Sequence, residues 1–299
     1  MAVDLNMAHK KIILVSKHSR SSSNIAPELR VSYENNMRCI DYISKILENL
    51  GLSYNLFCRS ELTYENIKNN FIISIGGDGT VLEASHYCKD EFLLGVNSDP
   101  KNSVGALCVA NQDNFQEILL DIFNNKLKPS QIQRLAINNT NILALNDILF
   151  CHHNPAAMSR FSLALNSQRE VFRASGIWVS TAAGSTGGIF SSGAKAYPIE
   201  YDRAFFRVRE PFWADQTRPA LLEGSFSKNN ELIIQSNMND ARIYIDGPHI
   251  SLDIALGENV RLGISKYPLW LFNAEKLNLQ RERIIKPRLE YRKLLQDGE

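Results

Sequence analysis

Neither sign of charge prevails in this sequence: 33 Lys and Arg stand against 32 Asp and Glu. That excludes a chain-wide field for nucleic acid or an anionic membrane surface, so any polyanion must be recognised by a local site. Cysteines are few, five in 299 residues. Cys39, Cys58, Cys88, Cys108 and Cys151 are widely spaced and form no Cys-x-x-Cys pair. This argues against a disulfide framework or a zinc site, and for reduced thiols in a cytoplasmic compartment. Long apolar runs are missing: no stretch approaches the ~18 residues of a membrane span. The opening MAVDLNMAHKK has neither a signal-peptide core nor the acid-poor character of a transit peptide. Two nucleotide signatures are missing as well. Without G-x-x-x-x-G-K-[ST] there is no Walker A loop, and without G-x-G-x-x-G there is no standard dinucleotide-binding dehydrogenase. The expectation is a soluble cytoplasmic protein with neither a nucleic-acid nor a membrane partner.

What is there divides into two styles. Over residues 1–128, short buried-strand runs (Ile12 to Val15, Phe71 to Ile75, Phe92 to Val96) alternate with helical patterns. Ile40, Ile43, Leu47 and Leu50 fall at helical spacing and Gly51 stands where that helix ends; a second helix is expected from Thr80 to about Cys88. Asp113 is placed to cap a third, with Phe115, Ile118, Leu119, Ile122 and Phe123 on one face. A parallel sheet covered by helices follows. Residues 129–276 are instead short runs rich in branched side chains, separated by turns such as Asn138-Asn139 and Asp246-Gly247-Pro248. They predict a mainly-β, sandwich-like region. Residues 277–299 form a basic, polar tail, expected as a solvated or oligomer-packing helix.

Three segments carry chemistry. Ile72 to Ile75 runs straight into Gly76-Gly77-Asp78-Gly79-Thr80. A strand entering a glycine turn before a helix makes a row of backbone N–H groups suited to phosphate. Asp78 within it can take a proton from an attacking hydroxyl or hold Mg²⁺. Asn146-Asp147, ending an apolar run, can bind a purine edge and ribose hydroxyls, or be an ordinary turn pair. The stretch 175–188 (SGIWVSTAAGSTGG) leads a strand into small and hydroxyl residues fit for close approach to a nucleotide. Cys151-His152-His153 is read as a strand end, since neighbours on a strand face opposite ways. His249, beyond Asp246-Gly247, is within reach of a nucleotide or simply a turn residue. Phe205 to Trp213 is assigned to packing or subunit contact.

With these segments in this order, the chain resembles the NAD kinase family. The resemblance rests on IGGDGTVLEA (75–84), LLGVNSDP (93–100), Asn146-Asp147, WVSTAAGSTGG (178–188) and Asp246-Gly247, and spans roughly residues 10–275. GVNSDP with RVREPFW (207–213) is similar to a divergent branch that includes mitochondrial-type members. The resemblance implies an α/β N-terminal domain plus a β-sandwich-like C-terminal domain, assembled as homodimers or homotetramers. It also implies ATP-dependent, Mg²⁺-assisted phosphorylation of the adenosine 2′-hydroxyl of NAD. Asp78 would be the general base, with Gly76, Gly77, Gly79 and Thr80 at the phosphates. Asn146 and Asp147 would hold the adenosine, and Ser175, Thr186, Gly187, Gly188 and His249 would contact the dinucleotide. Three positions depart from the common family: Ser175 replaces an Asp, Gly188 a Tyr, and Asp147 a Glu. A lipid kinase sharing a GGDGT-like turn and a non-catalytic NAD(P) sensor are the alternative readings.

Overall fold

The computed structural model describes residues 10–19, 26–212 and 218–296. The first nine residues of the segment read for targeting signals, Trp213 and the last three residues of the tail lie outside them. The chain forms two units. The first comprises the described residues up to Gln131 together with those from Leu269 onward; the second is Ile132–Pro268.

In the first unit, strands Ile12–Ser16, Phe71–Gly76 and Phe92–Asn97 are buried along their whole length. Near-continuous Ile, Leu, Val and Phe leaves no solvent face, which is the pattern of a parallel sheet covered on both sides. These strands pair in parallel. The order across the sheet is Tyr54–Cys58, Ile12–Ser16, Phe71–Gly76, Phe92–Asn97, Leu269–Phe272 and Pro129–Ile132, with Ala110–Asn111 also on Phe92–Asn97. The expected helix 40–50 runs Arg30–Asn49 and buries Cys39, Ile40, Ile43, Ile46 and Leu47. Gly51 follows at φ 68°, where its missing Cβ permits the left-handed turn that ends the helix.

Three expectations need correction in this unit. The helix after the glycine turn begins at Asp78 and ends at Ser85, so Asp78 itself is its first residue. Asp113 does not cap the helix Phe115–Phe123: the cap position is Asn114, whose side chain accepts the N–H of Asn111 instead. Leu269–Phe272, grouped by its composition with the β region, pairs in parallel with Phe92–Asn97. Its four residues LWLF bear three buried side chains, a demand only an interior strand position meets. The tail is helical over Ala274–Gln296, yet it is not simply solvated, since Leu277 and Arg281 are buried.

The second unit is two six-stranded antiparallel sheets. Its strands alternate, as in Leu232–Ser236 and Ala241–Ile245, where every second residue is buried. Inward residues of the two sheets form one core: Phe161, Leu163, Ile234 and Leu262 from one, Phe150, Ile177, Val179 and Ile243 from the other. That is the sandwich the alternation predicts. At its centre Phe161 meets Phe150 edge-on at 5.5 Å and stacks on Phe172 at 5.8 Å. Phe161→Ala should lower stability by ~3–5 kcal/mol in a urea titration, from lost burial plus the cavity left between the sheets. A loss below ~1 kcal/mol would mean the ring does not bridge them.

Candidate functional site

In the first unit the sheet changes direction at Ile12–Ser16: the chain moves to Tyr54–Cys58 on one side, then crosses to Phe71–Gly76 on the other. A crevice opens at the carboxyl ends of parallel strands at such a switch point. Here it is a cavity of about 790 Å³. Each strand supplies residues to it just beyond its end: Lys17, Arg59, the turn Gly76–Thr80, and Ser98-Asp99. All five residues expected from the glycine turn therefore line one cleft.

The glycines have reasons beyond ligand access. A Cβ on Gly76 would stand 2.1 Å from the Thr80 Oγ1, and one on Gly77 2.5 Å from Ser103 Oγ. Gly79 is the open one, with only Arg59 near, at 3.8 Å. Thr80 is buried and its hydroxyl has no hydrogen-bond partner among the described residues.

Asp78 is held by the loop after Asn97. Ser98 N–H donates to the Gly76 carbonyl at 2.8 Å, and Asn97 Nδ2 to the Ser103 carbonyl at 3.1 Å. The loop then folds back so that Leu107 N–H donates to Asp78 Oδ1 at 2.7 Å. Burial pushes the Asp78 carboxyl above the usual carboxylate range; the N–H groups of Leu107 and Ala106 and the charge of Arg281 pull the other way. Opposite stand two cations that sequence reasoning missed. Burial and the neighbouring Arg59 lower the Lys17 pKa, against the attraction of Asp99. Two cations that repel each other in a concave site are poised for a polyanion. The only signal for them was position: each follows directly on a strand.

In the second unit, Asn146 and Asp147 sit where strand Asp147–His152 begins. The backbone of 145–147 is pinned on both sides. Asp246 accepts the N–H groups of Leu145, Asn146 and Asp147 at 2.8, 2.6 and 3.0 Å. Thr181 Oγ1 donates to the Leu145 carbonyl at 2.5 Å, and Ser180 Oγ to that of Asn146 at 3.1 Å. A Cβ on Gly187 would lie 3.4 Å from both the Asn146 amide nitrogen and an Asp147 oxygen. Asn146, Asp147 and Gly187 are thus one group. A Cβ on Gly188 would lie 2.6 Å from the Trp178 ring, so the indole claims the space of any side chain there. Thr186, in the short helical turn Ala183–Thr186, is half-buried. His249 is exposed on the turn after Asp246. Ser175 is elsewhere in this unit, lining a cavity of about 300 Å³ with Cys151, His152, His153, Arg209 and Tyr244. Among the described residues no group of three or more His, Cys, Asp or Glu can hold a metal ion, and no helix is long and apolar enough to cross a membrane.

A phosphate-type cleft on an α/β sheet and a clamped amide–carboxylate pair on a β-sandwich define a nucleotide-handling protein. No family model matches the chain. It is 30% identical over 271 residues to an NADH kinase of Arabidopsis thaliana, covering 82% of this chain and 85% of that protein. To a probable NADH kinase of Oryza sativa subsp. japonica it is 29% identical over 249 residues, 75% and 77% of the two chains. Its fold is that of the crystal structure of an NAD kinase from Archaeoglobus fulgidus in complex with ATP, with TM-score 0.74, 22% identity and coverage of 92% and 99%. Yeast NADH kinase complexed with NADH gives TM-score 0.69 at 14% identity, over 94% and 88%. The chain belongs to the NAD kinase family.

Burial and Asp246 push the Asp147 carboxyl up to about 7. The folded chain thus keeps a proton that the unfolded chain releases at an ordinary carboxylate pKa. This contribution to stability is full below ~pH 4 and lost as pH rises towards 7. Without nucleotide, Asp147→Asn should match the wild type near ~pH 4 and be more stable by roughly 1–3 kcal/mol at ~pH 8. Equal melting curves at the higher pH would mean that Asp147 ionises freely in the fold.

Proposed function

We propose that this protein transfers the γ-phosphoryl group of ATP to the 2′-hydroxyl of the adenosine ribose of NAD or NADH, releasing ADP, NADP(H) and a proton. The observation that carries this is Asp78: a carboxylate fixed by Leu107 N–H at 2.7 Å in the first turn of a helix, within a cleft that also holds Lys17 and Arg59. Backbone amides alone suffice to bind phosphate, and a carboxylate set among them adds a base for the attacking hydroxyl. A hydroxyl is a poor nucleophile at neutral pH, and a carboxylate of raised pKa is a better base than an exposed one.

Lys17, Arg59 and the backbone of Gly76 to Gly79 neutralise and orient the donor phosphates, with Thr80 beside them. Asp78 accepts the proton of the attacking hydroxyl. Asn146 and Asp147 hold the adenosine, whose 3′-hydroxyl donates to the Asp147 carboxylate, and Thr186, Gly187 and Gly188 lie along the dinucleotide. Mg²⁺ bound with ATP would draw charge from the transferring phosphoryl group. Asp99, a buried carboxylate in the cleft, is the residue that fits it, because Mg²⁺ usually takes one or two carboxylates besides phosphate and water. Catalysis is then positioning and charge neutralisation.

The test is NADP(H) formation from NAD or NADH, ATP and Mg²⁺, read through an NADP-specific dehydrogenase. Asp78→Asn should lower kcat by ~10²–10⁴-fold with NAD affinity by calorimetry unchanged. Since Asp78 works ionised and burial raises its pKa, wild-type turnover should fall off on the acid side at a pH above the usual carboxylate range. A variant with wild-type kcat would remove Asp78 from the reaction. Nucleotide binding without turnover would favour the sensor, and phosphorylation of diacylglycerol or sphingosine alone the lipid kinase. Lys17→Met and Arg59→Met should each raise KM for ATP by ~10-fold or more, and leave KM for NAD near its wild-type value.

A further inference from the structure

We propose that Asp246 is the positioning residue of the acceptor site, and that its charge makes nucleotide binding by Asn146 and Asp147 depend on pH near neutrality. The inference rests on the reading that these two residues hold the adenosine.

Asp246 opens the turn between strands Ala241–Ile245 and Ile250–Ile254 in the left-handed region, at φ 50°. That conformation is costly for a residue with a Cβ, and a neighbouring network must hold it. The network is visible. Asp246 N–H donates to the Asp147 carbonyl at 2.9 Å, while its carboxylate takes three consecutive N–H groups of 145–147. Rotating the turn or shortening its side chain frees all three donors at once. Asn146 and Asp147 would then lose the backbone from which they are aimed.

The same contact brings two carboxylates together. Asp246 accepts the Asp147 N–H at 3.0 Å, and its charge together with burial raises the Asp147 pKa to about 7. Among the described residues, the other elements packed against Asp147 bring no counter-charge that shifts it. Residues 176–188 contain no titratable side chain. On strand Ala241–Ile245, Arg242 and Tyr244 pair opposite Cys151 and Leu149, farther along. On the turn, His249 is exposed. Ionised Asp147 accepts hydrogen bonds at both carboxylate oxygens; protonated, it loses one acceptor position. Affinity for the dinucleotide therefore rises as pH passes upward through 7.

The experiment is calorimetric titration of NAD and NADH into the whole protein between ~pH 5.5 and 8.5, for wild type, Asp246→Asn, Asp147→Asn and Asn146→Ala, with backbone amide hydrogen exchange of each free protein. Wild type should bind more tightly with rising pH, with a midpoint near 7. Asp246→Asn removes a negative charge beside Asp147, so its midpoint should move towards acid. Its plateau affinity at high pH should fall by ~10–100-fold as the turn loosens, and the amides of 145–147 should exchange faster. Asp147→Asn, which leaves Asp246 in place, should bind without the midpoint. Wild-type midpoint, plateau and exchange in Asp246→Asn would overturn the proposal, as would a midpoint that survives in Asp147→Asn. Unchanged affinity in Asn146→Ala and Asp147→Asn together would sink the underlying assignment of the adenosine site. An Asp246→Asn chain that fails to fold leaves the Asp147→Asn midpoint to decide.

Discussion

A loop that lies inside a protein must find partners for its backbone N–H groups, and in each unit of this chain a carboxylate provides them. In the first unit Asp78 takes the N–H of Leu107 and draws the loop after Asn97 over the glycine turn. In the second, Asp246 takes three donors from 145–147. An unpaired buried N–H costs on the order of 1–3 kcal/mol. These bonds therefore decide which conformation the two loops adopt, and with it where the residues they carry or cover stand.

The arrangement has an electrostatic consequence. Burying a carboxylate raises its pKa, while N–H donors and cations lower it. Burial raises the Asp78 pKa, and two backbone donors with the charge of Arg281 offset only part of that. Asp147 has no such help, only a second carboxylate. The cleft of the first unit mixes signs, with Lys17 and Arg59 beside Asp78 and Asp99, whereas in the second unit two carboxylates, Asp147 and Asp246, act on each other.

What sequence reasoning reached is what lies close along the chain. The buried parallel strands, the glycine turn entering a helix, the end of the first helix at Gly51 and the alternating strands of the sandwich are all local patterns of period or composition. What it did not reach depends on contacts between distant residues. Leu107 meets Asp78 across 29 positions, and Asp246 meets Leu145 across 101. The same holds for Lys17 and Arg59: the sheet order sets their strands side by side, that of Lys17 directly on the strand that ends in the glycine turn. Asp113 was a reasonable cap by type, yet Asn114, one residue later, stands at the cap position. The return of Leu269–Phe272 to the first sheet was hidden because four apolar residues are too short a run to tell a buried parallel strand from a strand in a sandwich core.

The departures at 175 and 188 are best understood through their neighbours. Glycine at 188 would be a loss if it left a hole, but the Trp178 ring stands 2.6 Å from where a Cβ would be, with Arg209 over the same indole at 5.6 Å. An aromatic side chain at 188 and an indole at 178 compete for one volume, so the two positions must change together. Ser175 is a different case. Its backbone N–H donates to the Arg209 carbonyl at 3.0 Å, which holds strand Gly176–Ser180 in register, and its neighbours line a cavity apart from Asn146 and Asp147. A change at 175 therefore acts apart from the pair Asp147–Asp246. The charge state of Asp147 is set by burial and by Asp246, while the backbone of 145–147 is held from both sides, by Asp246 on one and by Thr181 and Ser180 on the other.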